Sequence, residues 1–282
     1  MKLVLLDRST LGEDVPLTMF EAFGELTVWQ TSSPEEIPAR VKDADVILTN
    51  KCRLNARTLS GAEKLKLICV AATGYDNIDL AYCREKGIGA TNVVGYSTDS
   101  VAQLTFTLAL ALVMHLPDFT AFVENGSYTA SGVANRLFPA FHELRGRTWG
   151  VVGAGNIGQQ VARVAEAFGC RVVVNRRKAD PVYETLPLEE LLRESDIVSL
   201  HVPLSDATRG MIGRKELALM KKDALLINVA RGAVTDEEAV AEAVLEGRIG
   251  GLGVDVYSQE PFPADHPYQK IVGRPGVILT PH

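Results

Sequence analysis

Arg231, Glu260 and His282 are the residues of this 282-residue chain whose types and spacing suit joint chemistry. They are one cation, one carboxylate and one imidazole. Asn228-Val229-Ala230 leads into Arg231, Val254-Asp255-Val256 precedes Glu260-Pro261, and Thr280-Pro281 leads into His282. Each of these segments follows a short apolar run that reads as a strand, and strand ends are where open α/β sheets place their chemistry. An imidazole gives or takes a proton near neutral pH, and a carboxylate beside it orients the ring and favours its charged form. A guanidinium matches a carboxylate with a two-pronged donor and can polarise a ketone. Taken singly, Arg231 reads as a surface arginine, Glu260 as a helix-leading carboxylate, Asp255 as a loop cap and His282 as a frayed terminal residue. Their company changes that reading.

The company includes a glycine loop. Gly150-Val151-Val152-Gly153-Ala154-Gly155-Asn156-Ile157-Gly158 is a strand running into G-x-G-x-x-G. An apolar helical face follows at Val161, Val164, Ala165 and Phe168, and a further strand at residues 172–174. Gly153 permits the tight turn, Gly155 lets backbone N–H groups approach a pyrophosphate, and Gly158 allows close packing of the helix whose positive end faces that anion. A bare glycine triplet is only a turn; strand, loop, helix and strand together predict dinucleotide binding, with Asn156 and Ile157 opening the helix.

The next strand ends at Asn175-Arg176-Arg177-Lys178, where a carboxylate for the ribose hydroxyls of NAD would be expected. None stands there. Asn175 leaves room and Arg176 or Arg177 can bind a 2′-phosphate, which favours NADP over NAD. The alternative is that the arginines form a solvated loop and Asp180 serves the ribose from a shifted turn.

Short Val/Ile/Leu runs near residues 3–6, 46–48 and 67–70 alternate with helix-like segments at 34–41 and 79–86, a rhythm of βαβ units and parallel sheet. The pattern pauses near Asn92. Ser100 then offers an N-cap, with Gln103 completing a capping box, for a long helix over residues 101–116. Gln103, Thr105, Thr107 and His115 interrupt its apolar run, so it is expected to be a buried helix and not a membrane span. After a polar stretch at 125–135, strands are predicted at 148–152, 172–174, 197–200, 224–229 and 251–256. The last run, 277–279, follows Pro275-Gly276 and is expected to return to the first lobe. The fold class is therefore α/β, with two doubly wound parallel-sheet lobes, Rossmann-like and flavodoxin-like, and an interdomain cleft. The expected domains are 1–97 plus 276–282 for substrate and 98–275 for the dinucleotide.

With 46% apolar and 23% charged residues and a net charge of -6, the chain has no electrostatic reason to seek nucleic acid. The N-terminal apolar run is too short for a signal peptide, which with the absence of a span suggests a cytoplasmic protein and no membrane partner. Cys52, Cys69, Cys83 and Cys170 lie far apart, and buried reduced thiols are expected. No His/Cys/Asp cluster has metal-ligand spacing. His142 and His266 read as surface residues.

Several motifs in one order resemble the D-isomer-specific 2-hydroxyacid dehydrogenases. They are Ala72-Thr73-Gly74-Tyr75-Asp76-Asn77-Ile78-Asp79, the glycine loop, His201-Val202-Pro203-Leu204, the Arg231-Gly232 segment and the final Thr-Pro-His. The resemblance implies an NAD(P)-dependent oxidoreductase acting on the CH–OH group of 2-hydroxy acids, with a discontinuous substrate lobe and usually a homodimer. It implies catalytic roles for Arg231, Glu260 and His282, the imidazole being general acid/base and Arg231 binding the substrate carboxylate. Ala72, Thr73 and Gly74 match the loop whose N–H groups hold that carboxylate. Asp255 matches the nicotinamide anchor. His201, Val202, Pro203, Thr208, Val229 and Ala230 join the implied cofactor-binding set, with His201 near the adenine side.

Thr49-Asn50-Lys51 resembles the glycerate dehydrogenase, or hydroxypyruvate reductase, branch, and Lys51 would add a second cation for a small polar substrate. Hydroxypyruvate or glyoxylate is expected ahead of pyruvate or bulky 2-oxo acids. The same fold also serves dinucleotide-sensing dimeric proteins of corepressor type, which would not require Arg231, Glu260 and His282 together. Family members usually continue beyond the histidine into a helix, and the sequence ends at His282, so an inactive truncated member is the other alternative.

Overall fold

The computed structural model describes residues 1–282. The chain divides into two units, Met1–Ser97 and Thr98–His282.

The first unit runs β1 (Lys2–Leu5), β2 (Glu25–Val28), α1 (Ile37–Val41), β3 (Val46–Thr49), β4 (Leu67–Val70), α2 (Leu80–Lys86) and β5 (Gly89–Asn92). Its five strands are parallel in the order β2-β1-β3-β4-β5. This is a flavodoxin-like order, whose direction reverses between β1 and β3. β3 is buried along its whole length and packs with Val4, Leu6, Ile37, Val41 and Ile68 in one core. Asp79 caps α2 by accepting the N–H of Tyr82, and Gly87 closes it in the left-handed region at φ 69. β2 and β5 escape a hydrophobic-run search, because both are edge strands with largely exposed side chains.

The second unit opens with α3 (Thr98–Val113), α4 (Leu116–Glu124) and α5 (Ser127–Ser131). α3 starts two residues before the expected cap, with Ser100 inside its first turn beside Asp99, whose charge suits a helix N-terminus. Its buried face is Ala102, Thr105, Phe106, Leu108, Ala109 and Leu112. No single helix is long and apolar enough to cross a membrane. Then follow β6 (Thr148–Val152), α6 (Asn156–Ala167), β7 (Arg171–Asn175), β8 (Glu184–Thr185), α7 (Leu188–Glu194), β9 (Ile197–Leu200), α8 (Arg214–Leu217), β10 (Leu225–Asn228), α9 (Glu237–Leu245), β11 (Gly251–Val254) and β12 (Val277–Leu279).

The seven strands lie in the order β12-β11-β10-β9-β6-β7-β8, all parallel, so the chain reverses direction between β6 and β9. That crevice is where a doubly wound sheet receives its ligand. Trp149 is fully buried beneath it, packed on Phe106 at 4.6 Å between ring centroids, and its Nε1 donates to Ser199 Oγ at 2.9 Å.

Residues 276–282 differ from the expectation that they rejoin the first lobe. β12 pairs with β11 through Leu252↔Val277, Gly253↔Ile278 and Val254↔Leu279. Pro275-Gly276 is thus a turn into an edge strand and not a crossing between lobes, and the N–H of Leu252 donates to Gly276 O at 2.8 Å as that strand begins.

Candidate active site

The glycine loop leaves β6 at the reversal point. Gly153 has φ +95, and a β-carbon there would stand 2.7 Å from Val202 Cγ1 and 2.8 Å from the His201 carbonyl. The loop therefore lies directly against the segment leaving β9. At Gly158 a β-carbon would overlap Gly153 O, so the start of α6 can approach the loop only without a side chain. At Gly155 a β-carbon would meet nothing within 4 Å. The space beside this residue at the N-terminus of α6 is open, as a pyrophosphate approaching backbone N–H groups requires.

Beside the loop, His201 Nε2 lies 3.0 Å from Ser199 Oγ. Burial pushes the imidazole down to about 3, so it is neutral, and the same serine oxygen accepts from Trp149 Nε1. Thr208 Oγ1 donates to Pro203 O at 2.7 Å and fixes the loop after His201-Val202-Pro203.

At the end of β7, Asn175 Nδ2 donates to Leu186 O at 2.9 Å. The Asp180 carboxylate is shut away: its side chain has no exposed surface. It accepts Gln159 Nε2 at 2.5 Å, Arg176 Nη1 at 2.5 Å and the N–H groups of Val182 and Tyr183 at 3.0 and 3.2 Å. Those backbone N–H groups and Arg176 hold its carboxyl below the usual range against a burial effect that acts the other way. Arg176 and Arg177 are exposed at the strand end.

Arg231, Glu260 and His282 follow β10, β11 and β12, three adjacent strands, at their carboxyl ends. Asn228 shapes the first turn, its Oδ1 accepting the N–H of Ala230 at 3.1 Å and its Nδ2 donating to Arg231 O at 3.0 Å. Arg231 Nη1 donates to Ala230 O at 2.8 Å. Gly232 packs so tightly on the Tyr257–Ser258 peptide that a β-carbon would overlap it. Glu260 Oε1 accepts the Tyr257 N–H at 3.0 Å, and its Oε2 lies 2.7 Å from His282 Nδ1. A carboxylate only accepts, so Nδ1 carries the proton of that bond, which fixes the tautomer of the ring. The two side chains are about a third exposed, at 32% and 30%, open enough to meet a ligand.

The terminal segment is held firmly. Thr280 N–H continues the ladder to Val254 O at 2.9 Å, Thr280 Oγ1 donates to Asp255 Oδ1 at 2.6 Å, and Tyr257 Oη donates to Thr280 O at 2.9 Å. These three bonds fix the segment that carries His282.

In the first unit, Asp7 lies at the end of β1, beside the reversal point, and is 3% exposed. Its carboxylate accepts the N–H groups of Asn50, Lys51 and Cys52 at 3.0, 2.6 and 3.1 Å, and Thr49 Oγ1 at 3.1 Å. This one side chain shapes the loop carrying Lys51. Thr73 Oγ1 donates to Val93 O at 2.9 Å, Asn92 Nδ2 donates to Thr73 O at 2.7 Å, and the Val93 N–H donates to Ala72 O at 3.0 Å, which together fix the 72–74 turn at the end of β4.

A reading of the sequence misses Asp7, Tyr257 and Glu237. Asp7 carries a local signal, a carboxylate at the end of a buried strand. The other two act through long-range hydrogen bonds that leave none. His266, read as a surface residue, is 5% exposed, with Nε2 3.1 Å from Glu237 Oε2.

A family model described as D-isomer specific 2-hydroxyacid dehydrogenase, NAD binding domain, matches residues 106–282. The chain belongs to the D-isomer-specific 2-hydroxyacid dehydrogenase family. It is thereby an NAD(P)-dependent oxidoreductase of the 2-hydroxy-acid class. Over 279 residues it is 38% identical to the glyoxylate reductase of Thermococcus litoralis, covering 94% of this chain and 82% of that protein. Among solved structures it is similar to the D-lactate dehydrogenase of Aquifex aeolicus complexed with NAD and lactic acid. The TM-score is 0.88 at 33% identity, covering 100% of this chain and 88% of that one. It is also similar to the NADPH-dependent glyoxylate/hydroxypyruvate reductase of Sinorhizobium meliloti in complex with NADP and malonate. Here the TM-score is 0.87 at 26% identity, covering 100% and 86%.

Proposed function

We propose that this dehydrogenase reduces glyoxylate or hydroxypyruvate, with His282 as general acid/base and Arg231 as the substrate-carboxylate ligand. The observation that carries the reading is the 2.7 Å bond from His282 Nδ1 to Glu260, a carboxylate orienting an imidazole. When bound, the reduced nicotinamide supplies the hydride. As the carbonyl π electrons move onto oxygen, the Nε2–H of the charged imidazole donates its proton there, and C=O becomes C–OH. In the reverse direction the neutral Nε2 takes the hydroxyl proton. Glu260 keeps the ring in one tautomer, and Arg231 grips the carboxylate and polarises the ketone. Lys51 and the Ala72-Thr73-Gly74 turn are further substrate contacts, and Lys51 favours a small substrate with a hydroxyl or second charge beyond the reacting carbon. Asp255 would hold the carboxamide of a bound nicotinamide, with Val229 and Ala230 as further cofactor-binding residues.

NADP is the favoured cofactor. Asp180, near the end of β7, already accepts four donors, Arg176 Nη1 among them, while Arg177 is exposed at the strand end as a cation for a 2′-phosphate. The homodimer is supported by an apolar arm at Leu137 and Phe138, exposed by 71% and 74%. A cytoplasmic location is supported by four unpaired cysteines.

A panel of glyoxylate, hydroxypyruvate, pyruvate and phenylpyruvate followed by NADPH absorbance tests the reading. Glyoxylate or hydroxypyruvate should give the highest kcat/KM, and Arg231→Ala should lower it by about a thousandfold, roughly 4 kcal/mol of transition-state stabilisation. A preference for phenylpyruvate would overturn the substrate assignment. Absence of turnover with every acid would favour the dinucleotide-sensing alternative.

A further inference from the structure

We propose that Tyr257 is the positioning residue that holds Arg231, Glu260 and His282 in one arrangement, an inference that rests on the functional reading above. Tyr257 touches the neighbourhood of all three. Its backbone is the surface on which Gly232, the residue after Arg231, is packed without room for a β-carbon. Its N–H donates to Glu260 Oε1 at 3.0 Å. Its hydroxyl donates to Thr280 O at 2.9 Å, two residues before His282.

The hydroxyl bond has the greatest leverage. The Thr280 carbonyl belongs to the peptide plane shared with Pro281, whose ring locks φ near −65°. Orienting that carbonyl therefore constrains the path toward His282, leaving ψ of Pro281 and the torsions of His282 itself to be set by the bond to Glu260. Thr280 is already fixed on its other side by Val254 O and Asp255 Oδ1. The tyrosine hydroxyl completes the set.

The ring itself is braced. Phe262, His266 and Tyr268 stand edge-on around it at centroid distances of 4.7, 6.1 and 6.2 Å. His266 is fixed in turn by Glu237 at Nε2 and by the Tyr268 N–H at Nδ1. Glu237 also accepts the Ser258 N–H at 2.8 Å and the Ser258 hydroxyl, so the turn between Tyr257 and Glu260 is pinned from beneath. Burial pushes the Tyr257 phenol up to about 12, so the hydroxyl stays a donor across the neutral range. A misplacement of about 1 Å at a reacting group is enough to cost on the order of a hundredfold in rate.

Tyr257→Phe removes the hydroxyl and keeps the ring packing, so the full-length variant should fold. With glyoxylate and NADPH, its kcat should fall about tenfold while KM for glyoxylate stays within about twofold of wild type. In ¹H–¹⁵N imidazole spectra without substrate, the His282 Nδ1–H signal should weaken through faster solvent exchange. A purely structural tyrosine would lower Tm and leave both readouts unmoved. A kcat within about twofold of wild type, or an unaltered Nδ1–H signal, overturns the assignment. Lack of turnover by the wild type would instead remove the functional reading, and the imidazole spectrum would still decide whether Tyr257 holds the Glu260–His282 pair.

Discussion

The α-carbon of Gly232 lies flat against the Tyr257–Ser258 peptide, with no space for a side chain between them. The loop after β10 and the turn after β11 are thereby in direct backbone contact. Gly232→Ala must push them apart. Overpacking of this kind costs about 1–3 kcal/mol, and because it moves Arg231 relative to Glu260, activity should fall further than stability. Urea unfolding compared with kcat/KM checks this. Wild-type activity in the alanine variant would show that the close approach is incidental.

His201 predicts an acid-side loss of stability. Its pKa is lowered from 6.5 to about 3 by burial, so between those limits the unfolded chain binds a proton that the native protein does not. The unfolded state then carries more protons, and stability rises with pH through that window, by at most about 1.4 kcal/mol per pH unit. Between about pH 7.5 and pH 5 the wild type should lose up to about 2 kcal/mol more than His201→Gln, since only the step below 6.5 counts. An equal loss of stability in the two proteins, from denaturant titrations repeated across that pH range, would contradict a neutral imidazole.

Asp7 takes three successive backbone N–H groups and one hydroxyl. In Asp7→Asn one acceptor oxygen becomes an NH₂ facing those donors, and the buried mismatch should cost about 1–3 kcal/mol. The Lys51 loop should relax with it. If Lys51 contacts substrate, KM for hydroxypyruvate rises several-fold with a smaller change in kcat, and the same assay with Lys51→Ala should show the same pattern. A change confined to Tm would leave Asp7 with a structural part alone.

The saturated Asp180 makes cofactor choice a question about arginines. The double variant Arg176→Ala, Arg177→Ala should lower kcat/KM for NADPH by about a hundredfold, each charge-assisted bond being worth about 1.5–3 kcal/mol, and leave that for NADH nearly unchanged. Equal losses with both cofactors would move the arginines away from the 2′-phosphate.

What the sequence disclosed follows from how locally each feature is encoded. The glycine loop is a strand, a turn and a helix within residues 148–167, so residue types alone reveal it. The central strands β3, β6, β9, β10 and β11 announce themselves as buried apolar runs. The edges do not. β8 has two residues, Glu184 and Thr185, and β12 follows a proline and a glycine that imitate a change of domain. Sequence also places Arg231, Glu260 and His282 after three strands, but only the sheet order shows those strands to be neighbours. Asp7, Tyr257 and Glu237 act on partners 42, 23 and 29 residues away, at Thr49, Thr280 and His266. Chain order gives no hint of such pairings.

β12 has only three residues, paired along one side to β11, and it points His282. In a strand, a slip of one residue exchanges the two faces. A misaligned β12 would take Val277 and Leu279 from one core and Ile278 from the other, and turn the imidazole away from Glu260. Thr280 discriminates between alignments, because only one of them gives its hydroxyl the Asp255 carboxylate while its N–H meets Val254 O. The bonds that set the register of this edge are thus the same ones that aim the imidazole, so folding of β12 and placement of His282 are a single event.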